Sequence, residues 1–88
     1  MELFAVRDTK SETFDLPFCQ PNLLVCLRSV ADRMQHDGHP WNAHPEDYQL
    51  FHVGTWDDTK GQIEAVPATH VQNLIDLVEE VPAPLTLQ

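Results

Sequence analysis

Three histidines, His36, His39 and His44, fall within nine residues, and Asp37, Glu46 and Asp47 stand beside them. Imidazole nitrogens and carboxylate oxygens are the donors that zinc and nickel take, so this stretch has the residue types of a metal-binding module. The spacing is not that of a recognisable ligand set. Histidines next to Pro40 and Pro45 more often shape turns and keep solvated rings, and His44 can bond the amides of Glu46 and Asp47 to fix such a turn. Asp57 and Asp58 form a second acidic pair, but adjacent aspartates before a glycine serve the turn itself. Cys19 and Cys26 are spaced Cys-x6-Cys with no second pair nearby, unlike the tight knuckle of structural zinc sites, and they read as reduced, buried thiols. Arg7 and Asp8 read as a strand-end ion pair worth about 0–1 kcal/mol. With glycines only at 38, 54 and 61 there is no phosphate-cradling loop, and no serine sits in a nucleophile elbow. No catalytic residue, metal or cofactor is assigned, and a non-enzymatic protein is expected.

The elements around these residues follow from periodicity and turn chemistry. His44 to Gly61 is the densest pattern: Pro45 restricts the chain, Tyr48 to Trp56 is rich in β-branched and aromatic residues, and Asp57 to Gly61 turns it back into Gln62 to Val66. Leu3 to Asp8 forms a first strand, and Thr13 to Phe18 a second extended piece edged by Pro17. A helix opens at Pro21 and Asn22, with Pro21 at its first position, and runs to about Gln35. Leu23, Leu27, Val30 and Met34 make its apolar stripe, widened by Leu24 and Ala31, and Gly38 stops it. Residues 36 to 46 read as a polar loop. Thr69-x-x-Gln72 reads as a capping box that starts a second helix with a stripe of Val71, Leu74, Ile75 and Val78. His70 falls in its first turn, Glu79 and Glu80 oppose its dipole, and Pro82 ends it. The fold class expected is α+β: a small antiparallel sheet of three to four strands with two helices packed on one face, in a single domain of residues 1–81 followed by a flexible or docking tail, 82–88. On the central strand Phe51 and Val53 alternate with Tyr48, Leu50 and Trp56, and His52 reads as half-buried packing. Both faces need cover, which favours a homodimer or higher oligomer over a monomer in which Tyr48, Leu50 and Trp56 pack under the 36–46 loop with Trp41 as lid.

Length and charge narrow the function classes. A chain of 88 residues makes one domain, and at this size folding buries only about 60–65% of the unfolded surface, so stability is marginal. There is no run of 18 apolar residues and no basic, then apolar, leader after Met1, so neither a membrane span nor a signal peptide is expected. Fourteen acids against five bases give a net charge of −9, and residues 45–88 hold eight acids with Lys60 as their single base. Such a chain lacks the basic stripe with which nucleic-acid binders neutralise phosphates, and its acidic surface is suited to steering a basic protein partner.

The ordered residues His44-Pro-Glu-Asp-Tyr-x-Leu-Phe-x-Val-Gly-x-Trp-Asp-Asp-x-x-Gly61, with Ala5-Val6-Arg7-Asp8 and Leu16-Pro17-Phe18 before them, resemble the small non-structural protein of gokushovirus-type microviruses, which are single-stranded DNA phages. The resemblance spans roughly residues 3 to 66. It implies a phage accessory protein of the host bacterial cytoplasm, absent from the virion, acting in genome replication, the switch to single-stranded DNA synthesis, or packaging. The expected route is contact with a phage or host replication or assembly protein through Trp41, His44, Glu46, Asp47, Tyr48, Trp56, Asp57 and Asp58. The alternative is a single-stranded DNA binder in which Phe14 and Phe18, with Trp41 and Trp56, stack bases while Arg7, Lys10, Arg28 and Arg33 meet phosphates. A metal-binding module on the His36–Asp47 loop is the third reading.

Overall fold

The computed structural model describes residues 1–80, together with the side chains of residues 1–78. The tail expected at 82–88, Pro82 as helix stop, and the side chains of Glu79 and Glu80 lie outside the described residues. Strand β1, Glu2–Asp8, is the centre of the sheet, and four successive residues, Leu3 to Val6, are all buried. A strand buried on both faces has no polar side to show, which is why this stretch is a continuous apolar run. Along one side it pairs antiparallel with β4, Tyr48–Asp57, from Glu2↔Thr55 to Asp8↔Tyr48. Along the other it meets two short strands, β2 (Thr13–Phe14) and β3 (Phe18–Gln20). Pro17 lies in the gap between them and has no N–H to offer a ladder. β5, Gln62–Asn73, pairs antiparallel with β4 and forms the edge.

The expected sheet of three to four strands with two helices packed on one face is therefore corrected. Five antiparallel strands curl into a half-barrel, accompanied by short helices. The single extended piece 13–18 divides into two strands, and the return strand continues to Asn73. Thr69 to Gln72 do not cap a helix but bond β4, with Phe51↔His70 and Leu50↔Gln72. The ladder offers Thr69, His70, Gln72 and Asn73 extended partners, with Val71 as an extra residue between His70 and Gln72, and this outweighs the local helical period. His70 accordingly sits on a strand.

Register shifts shape the sheet. Ala5, Phe4 and Leu3 face Phe51, His52 and Gly54, so Val53 is an extra residue in β4. A bulge of this kind flips the side-chain phase beyond it and sharpens the twist. On the other side of β4, His52↔Thr69 is followed by Gly54↔Ala65, leaving Val66, Pro67 and Ala68 opposite Val53. Pro67, which cannot donate to a ladder, falls in that excursion. In the hairpin turn Asp57 Oδ1 accepts from the Thr59 hydroxyl at 2.7 Å and from the amides of Thr59 and Lys60 at 3.0 and 3.2 Å. These bonds, the hydroxyl first, hold its carboxyl below the usual aspartate range. Gly61 supplies the φ of +65° that closes the turn.

Three helices cover one face. α1, Leu23–Met34, is capped by Asn22, whose Oδ1 accepts from the Val25 amide at 2.9 Å, so Pro21 lies just outside the helix rather than at its first position. Its buried line is Cys26, Val30 and Met34, whereas Leu23 and Leu24 are exposed, a rotation of the expected stripe. The expected polar loop holds a short helix, α2 (Pro40–Ala43), and a 3₁₀ turn, Pro45–Asp47. His39 Nδ1 caps α2 by accepting from the Trp41 amide at 3.1 Å, and the Asn42 side chain donates to the Met34 carbonyl at 2.6 Å. α3, Leu74–Glu80, follows β5 without a break. The core joins Phe4, Val6 and Leu50 from the sheet to Cys26, Val30, Met34, Trp41, Leu74 and Leu77 from the helices, with Phe18 and Tyr48 packed against it.

The cysteines are free, Cys19 exposed and Cys26 fully buried. Burial pushes the Cys26 thiol up to about 11. Because the thiolate is the reactive form, iodoacetamide at about pH 8 is expected to add at most one group to the native protein, on Cys19, and to reach Cys26 only in denaturant. Two adducts forming together in the native state, read by mass spectrometry, would contradict the buried position.

Candidate protein-binding surfaces

One end of the sheet is acidic because separate segments are tied together there. Asp8 closes β1, and its Oδ1 accepts from the Lys10 amide at 2.9 Å, starting the β1–β2 turn. In that turn the amide and hydroxyl of Thr9 both donate to the Asp47 carbonyl at 2.9 Å. The 3₁₀ turn is thereby fixed beside β1, and Asp15 joins from the β2–β3 gap, where its amide donates to the Val6 carbonyl at 2.8 Å. Tyr48 senses the result: partial burial first, then the charges of Asp8, Asp47 and Asp15, hold its phenol above the ordinary range. Glu46 adds a further carboxylate, 3.9 Å from His44 Nδ1. Among the described residues the ion pairs are His44–Glu46 and His52–Glu2, so no carboxylate at this end makes a direct ion pair with a lysine or arginine, and Arg33 is the cation that lines the same cleft as Asp8 and Asp15.

His44, Glu46 and Asp47 can bring one ligand atom each within 4.8 Å of one another. The loop thus gathers part of the expected metal-binding set, with His44 and Glu46 on its exposed rim. His39 uses its Nδ1 on the cap of α2, and His36 does not join the group.

The face of the sheet turned away from the helices is the second surface. Residues directly opposite in antiparallel strands share a face, so the register assigns its rows. Phe14, Arg7, Gln49 and Asn73 make one; Ala5, Phe51 and His70 the next; Cys19, Leu3, Gly54 and Ala65 the third. Met1, Trp56 and Ile63 make the last, Met1 and Trp56 exchanging backbone bonds of 2.8 and 3.1 Å. Contacts agree with the rows: Phe14 and Phe51 meet edge to face at 5.1 Å, Phe51 and His70 at 5.5 Å, and Arg7 lies 6.0 Å over the Phe14 ring. None of these positions is an aspartate or glutamate. The Val53 bulge has moved Trp56 onto this face with Phe51, correcting its expected place beside Tyr48 and Leu50.

The residues expected to bind a partner are thus divided. His44, Glu46, Asp47 and Tyr48 share the acidic end, with Trp41 buried beneath them at 8% exposure. Trp56, Asp57 and Asp58 stand at the opposite end of β4, about 30 Å away at the usual rise of a strand. Of the nucleic-acid set, Arg7 and Phe14 lie together and Lys10 is in the adjoining turn. Phe18 is instead packed against Phe4, at 6.4 Å between ring centroids, and Arg28 and Arg33 are on α1, on the helix side. Sequence reading missed Asp8 and Asp15 as neighbours of Asp47, because the Thr9–Asp47 bonds that join them link residues far apart in the chain.

Residues 1–77 match the family described as Phage ORF5 protein. The chain belongs to the Phage ORF5 family. Neither a curated protein nor a solved structure matches it. Membership in the Phage ORF5 family makes this a bacteriophage protein, in agreement with the phage resemblance of its motifs at that level. The span shared with the Phage ORF5 family contains both surfaces, from Met1 to Ile63 and Asn73. Among its described residues no helix is long and apolar enough to cross a membrane.

Proposed function

We propose that this chain is a non-enzymatic accessory protein of gokushovirus-type microviruses. It works in the host bacterial cytoplasm during genome replication, the switch to single-stranded DNA synthesis, or packaging, and stays out of the virion. It acts by receiving a basic segment of a phage or host replication or assembly protein on the acidic end of its sheet. The observation that supports this reading is the gathering of Asp8, Asp47 and Asp15 around Tyr48, with Glu46 exposed in the adjoining turn, none of them in a direct ion pair with a lysine or arginine among the described residues and Arg33 the one cation lining their cleft. Unpaired charges of one sign raise the encounter rate with the opposite sign and fix its orientation, more than they add contact energy.

A second reading, contact with single-stranded DNA, is favoured by Arg7 over Phe14 on a face without carboxylates. Titrating the protein with lysine- and arginine-rich peptides from the phage's own replication and capsid proteins, and with a labelled oligonucleotide, separates the two. One of the peptides is expected to bind, with affinity falling about tenfold or more between low and moderate salt. Glu46→Gln with Asp47→Asn is expected to weaken it a further tenfold or so, at about 0.5–1 kcal/mol per exposed charge pair. Phage carrying that pair of changes is expected to accumulate double-stranded DNA and to package less genome. Peptide binding indifferent to both salt and substitution would overturn the proposal. Salt-sensitive oligonucleotide binding lost in Arg7→Ala would replace it with the DNA reading.

A further inference from the structure

We infer that the outer face of the sheet is closed by a second copy of this chain, in a two-fold, face-to-face dimer. The first ground is charge. A chain of net charge −9 repels its own copy wherever carboxylates meet, and the outer face is a broad surface of the sheet whose register places none on it. Its fixed charges lie at its margins: Arg7, whose guanidinium is engaged on the Phe14 ring, and the Met1 ammonium, which donates to the Trp56 carbonyl. A basic partner has nothing to pair with there, whereas a second copy brings the same uncharged centre.

The second ground is shape. Trp56 and Ile63 stand side by side as a ridge, and Ile63 is 66% exposed. Next to it runs a trough of small or sunken residues: Gly54 has no side chain, Ala65 has a methyl, and Leu3 is only 7% exposed. Beyond the trough Phe51 begins a second ridge. Alternate residues on one face are about 7 Å apart along a strand, close to the width of a side-chain ridge. A two-fold axis between ridge and trough therefore seats the Trp56–Ile63 ridge of each copy in the trough of the other. That is the self-complementarity an isologous contact requires, since one patch must serve as both halves. Gly54 is held bare by its own strand neighbour, as a Cβ there would lie 2.5 Å from the Glu64 carbonyl oxygen, so the floor of the trough is built into the fold.

The bulge at Val53 produces this arrangement. Without the extra residue, Trp56 would turn to the helix side and the ridge would be lost. The acidic end lies across the sheet from the ridge and is free in each copy, so partner binding and self-association have separate readouts.

Sedimentation equilibrium or light scattering on the full chain tests the inference. The expected mass is twice the 10.0 kDa chain at micromolar concentration. Ile63→Asp, which places a carboxylate on each ridge, is expected to raise the dimer dissociation constant at least 100-fold while the circular dichroism spectrum is unchanged. Leu24→Asp, on an α1 residue that is 74% exposed, is the matched control and is expected to leave the dimer intact. A monomer in the parent protein at all concentrations would overturn the inference, as would a dimer that survives Ile63→Asp or dissolves with Leu24→Asp.

Discussion

Gly54→Val is expected to abolish the cooperative melting transition, and Gly54→Ala to lower the midpoint by about 10–20 °C. The Cβ that alanine adds would lie 2.5 Å from the Glu64 carbonyl oxygen and 3.4 Å from the Ala65 Cα. These are backbone atoms of the neighbouring strand, so relief requires β4 and β5 to separate where Gly54 pairs with Ala65. Overpacking of this kind costs about 1–3 kcal/mol, and opening ladder bonds adds to it. A domain this size has about 4–12 kcal/mol in all, and each kilocalorie moves the midpoint by about 4–8 °C. Valine brings two further methyls into the same gap, enough to exhaust the lower part of that range. Thermal melts followed by far-ultraviolet circular dichroism measure both. A Gly54→Ala melt within about 4 °C of the parent would show that the strands can spread there at little cost.

Leu50→Ala is the second large effect, expected at about 2–5 kcal/mol in urea unfolding. Leu50 is fully buried on β4, in the core that joins Phe4 and Val6 to Trp41, Leu74 and Leu77. Truncation removes its transfer energy and leaves a cavity between a sheet and helices tied by cap bonds, which limits collapse. Leu24→Ala, the same chemistry at an exposed site, is expected to stay within about 0.5 kcal/mol of the parent. Equal losses at the two positions would mean that the helix layer does not pack on β4 as described.

The contrast between Leu50 and Leu24 also shows what could be read in advance. β1, β4, the Asp57–Gly61 turn and α1 were legible because each is encoded locally, by a continuous apolar run, by aromatic and β-branched alternation, by turn residues, and by a capped amphipathic segment. The phase of α1 was less so: Leu23 and Leu24 fit a helical stripe, but Cys26, Val30 and Met34 are the line that meets the sheet. Residues 69–73 carried a helical period and became strand because β4 was there to pair with them, which is a tertiary fact. The 36–46 segment looked like a polar loop because its four-residue helix is too short for periodicity. It is fixed by an imidazole cap and by the bond from Asn42 to Met34.

The candidate surfaces were legible in the same uneven way. Glu46, Asp47 and Tyr48 were singled out together, and they do share a surface. Trp56 was expected on the wrong face, since its side depends on one extra residue in β4 relative to β1, and a bulge leaves no mark on a single strand's alternation.

The excursion of β5 around Pro67 bears on how far assembly can go. An edge strand of twelve residues is long enough to template further chains without limit, the route by which sheet proteins form filaments. Pro67 interrupts that edge in the middle, removing one donor and displacing Val66 and Ala68 from the line of the ladder. Lateral growth is cut into segments too short to propagate. The exposed edge of this phage protein is thereby turned away from templating an open-ended fibre.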